Sequence, residues 1–242
     1  MTGKPDRIVW VVTDGKPGME NQCLGLAEAL MASGFAAPVV KRIAPRFPWS
    51  ALPPQFWFSP LSAPGPGGDA LAPPWPDILI ATGRQTVAPA LAIKKASGGR
   101  TFCVQIQNPV VGRDRFDVLA IPEHDGIAGA NVIATRGALH RVTAEKLSAE
   151  AEKFAPALAD LPRPLVAVLI GGSNRQYSMT ETVTRELAAK LAGLCRRHRA
   201  GLAVTASRRT GDTNAAILRD ALSTCPAYVW DGEGDNPYFG FL

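Results

Sequence analysis

The stretch Leu165–Thr180 constrains the fold of this chain more than any other. Six consecutive apolar residues, Leu165 to Ile170, are too short a run for a helix and suit a strand covered on both faces, as in a parallel sheet. Gly171-Gly172-Ser173 then breaks the strand. Ser178 with Glu181 three residues on matches a capping box, and Val183, Leu187, Leu191, Leu194 and Cys195 recur behind it at helical spacing. The order strand, glycine turn, helix aims free backbone N–H groups and the positive end of a helix dipole at a surface that a ligand can approach. It outlines an anion site, although two glycines also suit a tight corner that binds nothing. Asn174 and Arg175 add an amide and a guanidinium where a phosphate would sit.

The charge balance is compatible with an anionic ligand. Twenty-six Lys and Arg against 21 Asp and Glu give +5, which favours phosphorylated molecules, acidic lipid headgroups or nucleic acid. The one dense basic run, Arg196-Arg197-His198-Arg199, falls at a predicted helix C-terminus where cations complement the dipole. No nucleic-acid motif accompanies it, so nucleic acid is not an expected partner. Cys23, Cys103, Cys195 and Cys225 lie far apart, which suggests neither a metal site nor a disulfide framework and fits a cytoplasmic protein. The N-terminus reads as no signal peptide, no run approaches membrane-spanning length, and no cofactor is implied.

Taken in order, the chain repeats one unit. Strand Ile8–Val12 leads into the loop Thr13–Gly18 and a helix carrying Cys23, Leu24, Ala27, Leu30 and Met31 inward to Gly34. Loops at the carboxyl ends of parallel strands are where open α/β sheets bind ligands, so Asp14, Lys16, Asn21 and Gln22 are expected to face a cleft. The glycine spacing matches neither a dinucleotide fingerprint nor a P-loop. Val39, Val40 and Ile43 mark a second strand. Residues 44–76 then hold ten prolines and Trp49, Trp57 and Trp75, a loop expected to be ordered at its ends and mobile over Ser59–Pro74. Its aromatics suit either packing on their own domain or, with Arg42 and Arg46, a membrane interface.

Further strands are predicted at Asp77–Ala81, Phe102–Ile106, Phe116–Ile121 and Asn131–Ile133. The first three end in polar residues: Thr82-Gly83-Arg84-Gln85, Gln107-Asn108-Pro109 and Pro122-Glu123-His124-Asp125. Such ends on one rim would line a polar cleft, in which His124 is the leading titratable group. A helix begins at Thr143, and Leu161-Pro162-Arg163-Pro164 cannot continue it. The expected domains are therefore 1–160 and 164–242. The second runs from the opening strand and its helix to a strand at Gly201–Thr205, the turn Ser207-Arg208-Arg209-Thr210, a helix capped by Asp212, and a strand at Tyr228–Trp230. That content is expected to be a partial, truncated doubly wound domain.

Taken together, Thr13-Asp14-Gly15-Lys16-Pro17-Gly18-Met19-Glu20-Asn21-Gln22, Ala81–Gln85, Gln107–Pro109, Pro122–Asp125, Gly171–Asn174 and Ser207–Thr210 resemble the bacterial relatives of the plant mitochondrial-fission factor. That family is similar to the GT-B glycosyltransferases, and the resemblance spans nearly the whole chain. It implies two Rossmann-like parallel-sheet domains facing across a cleft, with a nucleotide-sugar donor held mainly by the second. Gly171-Gly172-Ser173 matches the turn that lies near the donor diphosphate in lipid-acceptor enzymes of this class. A further strand and an acidic-serine turn of the family pattern have no counterpart here.

Two functions follow as expectations. The first is glycosyl transfer or epimerisation on a nucleotide-diphosphate sugar or another phosphorylated small molecule. Gly171, Gly172, Ser173, Asn174 and Arg175 would hold the diphosphate and Arg208 would stabilise the leaving phosphate. Thr82, Gly83, Arg84, Gln85, Gln107, Asn108, Lys16 and Asn21 would line the site, and His124 or Asp14 would act as base. The second is a non-catalytic adaptor, held through its aromatic and basic loop at an anionic membrane surface on the cytoplasmic side.

Overall fold

A computed structural model describes residues 7–174 and 176–242; Arg175, assigned above to the diphosphate, lies outside the described residues. The apolar runs pair largely as the periodicity predicts. β1 (Val9–Thr13), β2 (Val39–Arg42), β3 (Ile78–Thr82), β4 (Phe102–Ile106), β5 (Val118–Pro122) and β6 (Val132–Thr135) form one sheet in the order β2-β1-β3-β4-β5-β6. Every neighbouring pair is parallel. Side chains that alternate along a parallel strand need cover on both faces, and the central strands β1, β3, β4 and β5 have it, whereas the edge strands β2 and β6 stay half-buried to exposed. Trp10 and Val12 of β1 join Leu91 and Ile93 of α2 (Val87–Ala96), whereas Val9 and Val11 join Cys23 and Ala27 of α1 (Pro17–Ala32).

α1 approaches the chain leaving this sheet so closely that Gly25 has no room for a side chain. A Cβ there would lie 2.3 Å from the His140 carbonyl oxygen, and Arg141 Nε bonds the Glu28 carboxylate at 2.8 Å close by. Alanine is normally the better helix residue by about 1 kcal/mol, but a backbone clash costs more. Gly25→Ala is expected to lower stability by about 3 kcal/mol. Gly18→Ala in the same helix, where nothing lies within 4 Å, is expected to be neutral or slightly stabilising. Urea denaturation of the two variants side by side checks this, and equal midpoints would refute it.

The long segment between β2 and β3 is tied down along its length, including the stretch expected to be mobile. Gly65 N donates to Ala44 O at 2.8 Å, Asp69 N to Arg42 O at 2.9 Å, and Arg42 N to Asp69 Oδ2 at 2.7 Å. Ala63 and Leu71 are buried. Prolines remove donors but leave carbonyls; the amides of Gly65 and Asp69 reach the chain at 42–44, and those of Ser50, Ala51, Phe56, Ser62 and Ala63 close local turns. The tryptophans pack inward: Trp49 and Trp57 bury against Ala63 and Ala88, and Trp75 meets Trp10 edge-on at 6.2 Å.

The chain divides between Arg141 and Val142, ahead of the boundary expected at Leu161–Pro164. The intervening helix, α3 (Ala144–Leu158), belongs to the second unit because its Phe154 and Leu158 pack with Ala203, Tyr228 and Phe241. The second sheet has the order β7-β8-β9, all parallel, from β7 (Leu165–Ile170), β8 (Gly201–Ala206) and β9 (Ala227–Val229). α4 (Glu181–His198) and α5 (Asp212–Leu222) cover one face through Ala188, Leu191, Leu218 and Leu222. Both units are thus parallel α/β constructions of Rossmann-like type.

Three local expectations are corrected here. β7 is not buried on both faces: only Ile170 is buried, while Ala167 and Leu169 are exposed, because the cover on the α3 side sits farther over, at Ala203 and Tyr228. α4 is capped by Thr180, whose hydroxyl accepts Val183 N at 3.3 Å, rather than by Ser178. The residues before it are drawn into a closed loop in which Ser173 Oγ accepts Met179 N at 2.9 Å. α5 starts from Gly211, and Asp212 is its first helical residue rather than its cap.

Candidate functional site

In the first unit the sheet order reverses at β1, which has β2 on one side and β3 on the other. Ligands of open α/β sheets bind outside the carboxyl ends of the strands at such a point. The two turns leaving it, Asp14-Gly15-Lys16 and Gly83-Arg84-Gln85, each contain a glycine in the left-handed region, at φ +81° for Gly15 and +84° for Gly83. A side chain on Gly15 would meet open space, and one on Gly83 would meet only Met19 Sδ, at 3.9 Å. Asn21 and Arg84 are exposed on the same edge.

Several expected residues have structural partners instead. Thr82 is fully buried and its hydroxyl donates to Ile106 O at 3.2 Å. Gln22 is buried and donates to Gly18 O at 3.2 Å. Asp14 accepts Lys16 N at 3.2 Å through one oxygen and pairs with Lys16 Nζ through the other, so neither oxygen is idle. Asn108 Oδ1 accepts Val110 N at 2.9 Å and Arg113 Nε at 3.0 Å, which shapes a turn holding Gln107 and Val110 at φ +67° and +66°. His124 is exposed, with Asp125 Oδ1 at 3.6 Å from Nε2. β5 lies three strand spacings from β1, roughly 14 Å, so His124 and Asp14 do not form one catalytic pair.

In the second unit the glycines of the central turn prove to have different reasons. A Cβ on Gly172 would lie 1.9 Å from Arg209 O, so the neighbouring turn by itself requires glycine at this position. A Cβ on Gly171 would meet nothing within 4 Å. Ser173 N donates to Arg209 O at 3.3 Å, and Asn174 Oδ1 accepts Gln176 N at 2.8 Å and Tyr177 N at 2.9 Å. The two turns and the helices behind them are joined by Asn214, which donates to Met179 O at 2.9 Å and Thr210 O at 3.0 Å and accepts from Thr184 Oγ1 at 2.9 Å. The positive ends of α4 and α5 therefore stand side by side at the carboxyl edge of β7 and β8, with Arg208 exposed next to them. Asp212, in the first turn of α5, offsets part of that field.

A groove of about 270 Å³ opens at the carboxyl ends of β8 and β9, lined by Arg208, Gly211, Arg219 and Trp230 among others. Arg219 Nη1 donates to Asp231 O at 3.0 Å and Trp230 Nε1 to Glu233 O at 2.8 Å, which fixes both side chains. Sequence reading named the Ser207–Thr210 turn and the strand ending at Trp230 but gave no role to Thr210, Trp230, Arg219 or Asn214. The second occurrence of strand, polar turn and helix at β8 and α5 was a usable signal for the groove, but nothing in the spacing announces Asn214. Cys23, Cys103 and Cys195 are buried; burial pushes the Cys103 thiol up to about 12 and the Cys23 thiol up as well, so neither offers a thiolate near neutral pH. Among the described residues no helix is long and apolar enough to cross a membrane.

Comparison with known proteins gives the following likenesses. A family model described as mitochondrial fission ELM1 matches residues 17–242. The mitochondrial fission protein ELM1 of Arabidopsis thaliana is 30% identical over 69% of this chain and 44% of its own length. The chain thus spans less than half of that relative. An uncharacterized protein, RP120, of Rickettsia prowazekii (strain Madrid E) is 23% identical over 97% of this chain and 74% of its own length. Among solved structures, MurG of Acinetobacter baumannii aligns with a TM-score of 0.45 and 14% identity, covering 95% of this chain and 67% of that one.

Proposed function

The chain belongs to the mitochondrial fission ELM1 family, and from that premise we propose that its second unit binds the diphosphate of a nucleotide-linked sugar, for glycosyl transfer or epimerisation. The observation that carries this reading is the pair of helix N-termini fixed side by side by Asn214, beside an exposed Arg208 and open space at Gly171. Backbone N–H groups and a guanidinium are the donors a diphosphate needs. The groove with Trp230 and Arg219 offers an aromatic face for a base beside those donors.

In transfer, the bond from the anomeric carbon to the phosphate oxygen breaks and the acceptor oxygen forms the new one. The electron pair leaves with the diphosphate, where the helix ends and Arg208 stabilise it. The acceptor oxygen gives up its proton to a general base or to water as the new bond forms.

Calorimetric titration with UDP, GDP and a UDP-sugar tests the site. Arg208→Ala, at an exposed position, is expected to leave the unfolding midpoint unchanged and to weaken the best of these ligands about tenfold. Unchanged affinity in that variant, or no binding of any of the three by the native chain, would overturn the assignment.

A further inference from the structure

The outer face of α2 carries a surface that the nucleotide reading leaves unused. Two adjoining hollows, about 340 and 510 Å³, run along that helix between residues 54–62 and the chain at 111–115. Both are lined by Pro60, Ala92 and Lys95, and the first also by Trp57, Leu91 and Arg115. Neither contains a carboxylate. Along the same segment Phe47, Phe56 and Phe58 are 80%, 63% and 59% exposed, Phe56 and Phe58 flanking in sequence the Trp57 that lines the first hollow. A single exposed phenylalanine is unremarkable on a protein surface, but three within twelve residues, two of them flanking a tryptophan that lines the hollow, call for an apolar environment.

The rings are presented by a rigid support. Phe58 packs on Trp49 at 5.0 Å, Trp49 donates through Nε1 to Phe58 O at 2.7 Å, and Trp57 donates through Nε1 to Leu52 O at 3.0 Å. Arg46 stacks over Trp49 at 5.3 Å. Over segments 44–62, 87–96 and 107–116 the cations are Arg46, Lys94, Lys95, Arg113 and Arg115, against Asp114 alone. Lys94 is held by Asp117, which leaves the other four to set the sign of this face.

Exposed aromatic rings inside a cationic rim match a bilayer interface with anionic headgroups, where rings enter the acyl boundary and cations meet phosphate. We infer that this face of the first unit docks on an anionic lipid membrane, with Phe56 and Phe58 inserted and Lys95 and Arg115 against the headgroups. The inference rests on the first unit alone and does not depend on the nucleotide site.

Co-sedimentation with phosphatidylcholine vesicles, with and without about a third of phosphatidylglycerol, tests it on the full chain. The native chain is expected to bind the anionic vesicles and to lose that binding as salt rises through about 0.5 M. Phe56→Ser with Phe58→Ser is expected to weaken binding on the order of tenfold or more. Lys95→Gln with Arg115→Gln is expected to weaken it about twentyfold and to abolish the lipid preference. Circular dichroism confirms that these surface variants fold. Binding retained by both double variants would place membrane contact elsewhere, and absence of vesicle binding by the native chain would leave the patch to a protein partner; either overturns the inference. UDP affinity measured on the same variants is expected to stay native, which separates this result from any failure of the nucleotide reading.

Discussion

Gly172→Ala is expected to destabilise the second unit by about 3–5 kcal/mol, a large part of what holds a domain of this size together. The added Cβ would sit 1.9 Å from the Arg209 carbonyl oxygen, 2.0 Å from its carbon and 2.4 Å from Thr210 N. All three are backbone atoms, so no side chain can swing aside. Relief requires the turns at 171–174 and 207–211 to part. That breaks the bond from Ser173 N to Arg209 O and pulls the Thr210 hydroxyl from Gly171 O. Hydrogen exchange read on peptides covering β7 and β8 is the direct measurement, with protection lost there and kept in the first unit. Native protection in Gly172→Ala would show that the two turns yield more easily than their hydrogen bonds suggest.

Gly171→Asp, one position earlier, is expected to do the reverse: keep the fold and lose the ligand. A side chain at Gly171 enters open space and the backbone there is not in the left-handed region, so stability should change by no more than about 0.5 kcal/mol. A carboxylate placed within about 5 Å of a bound diphosphate repels it by roughly 3 kcal/mol at the effective dielectric of a protein surface, on the order of a hundredfold in affinity. Calorimetry with UDP reads the loss and thermal unfolding reads the fold. Native UDP affinity in this variant would remove the diphosphate from the turn. Because Gly172 serves packing, a charge placed at Gly172 could not make that distinction.

The contrast between these neighbours shows where sequence reading stops. Strand, turn and helix over 165–198 were legible because apolar period and punctuation are local properties. The division of labour between Gly171 and Gly172 was not, since it depends on Arg209, which reaches them only through the β7–β8 pairing. The same holds for the cap of α4. Ser178 with Glu181 matches the capping pattern, yet Ser173 and Asn174 close the preceding loop on themselves and the helix starts from Thr180. In the first unit the strand ends and their polar turns were read correctly. The burial of Thr82, by contrast, follows from its hydroxyl meeting Ile106 O across β3 and β4. The proline-rich segment misled in the opposite direction: its composition suggests mobility, whereas its amides close a succession of local turns and two of them bond the chain at 42–44.

Prolines and tryptophans also sorted themselves in a way composition could not disclose. Trp49 and Trp57 close a small core between the segment and α2, and the phenylalanines between and beside them are exposed. A count of aromatics treats these as one class; their indole N–H groups, each matched to a backbone carbonyl, explain why the tryptophans are the ones inside.

Asn214 has a kinetic consequence. One amide holding Met179, Thr210 and Thr184 keeps both helix ends in place before any anion arrives. For the diphosphate ligand proposed above, encounter would need no loop to order first, and its arrival rate would be set by diffusion and surface charge, slowing as ionic strength rises. Replacing Asn214 would convert that encounter into a two-step process in which ordering of the turns follows or precedes capture.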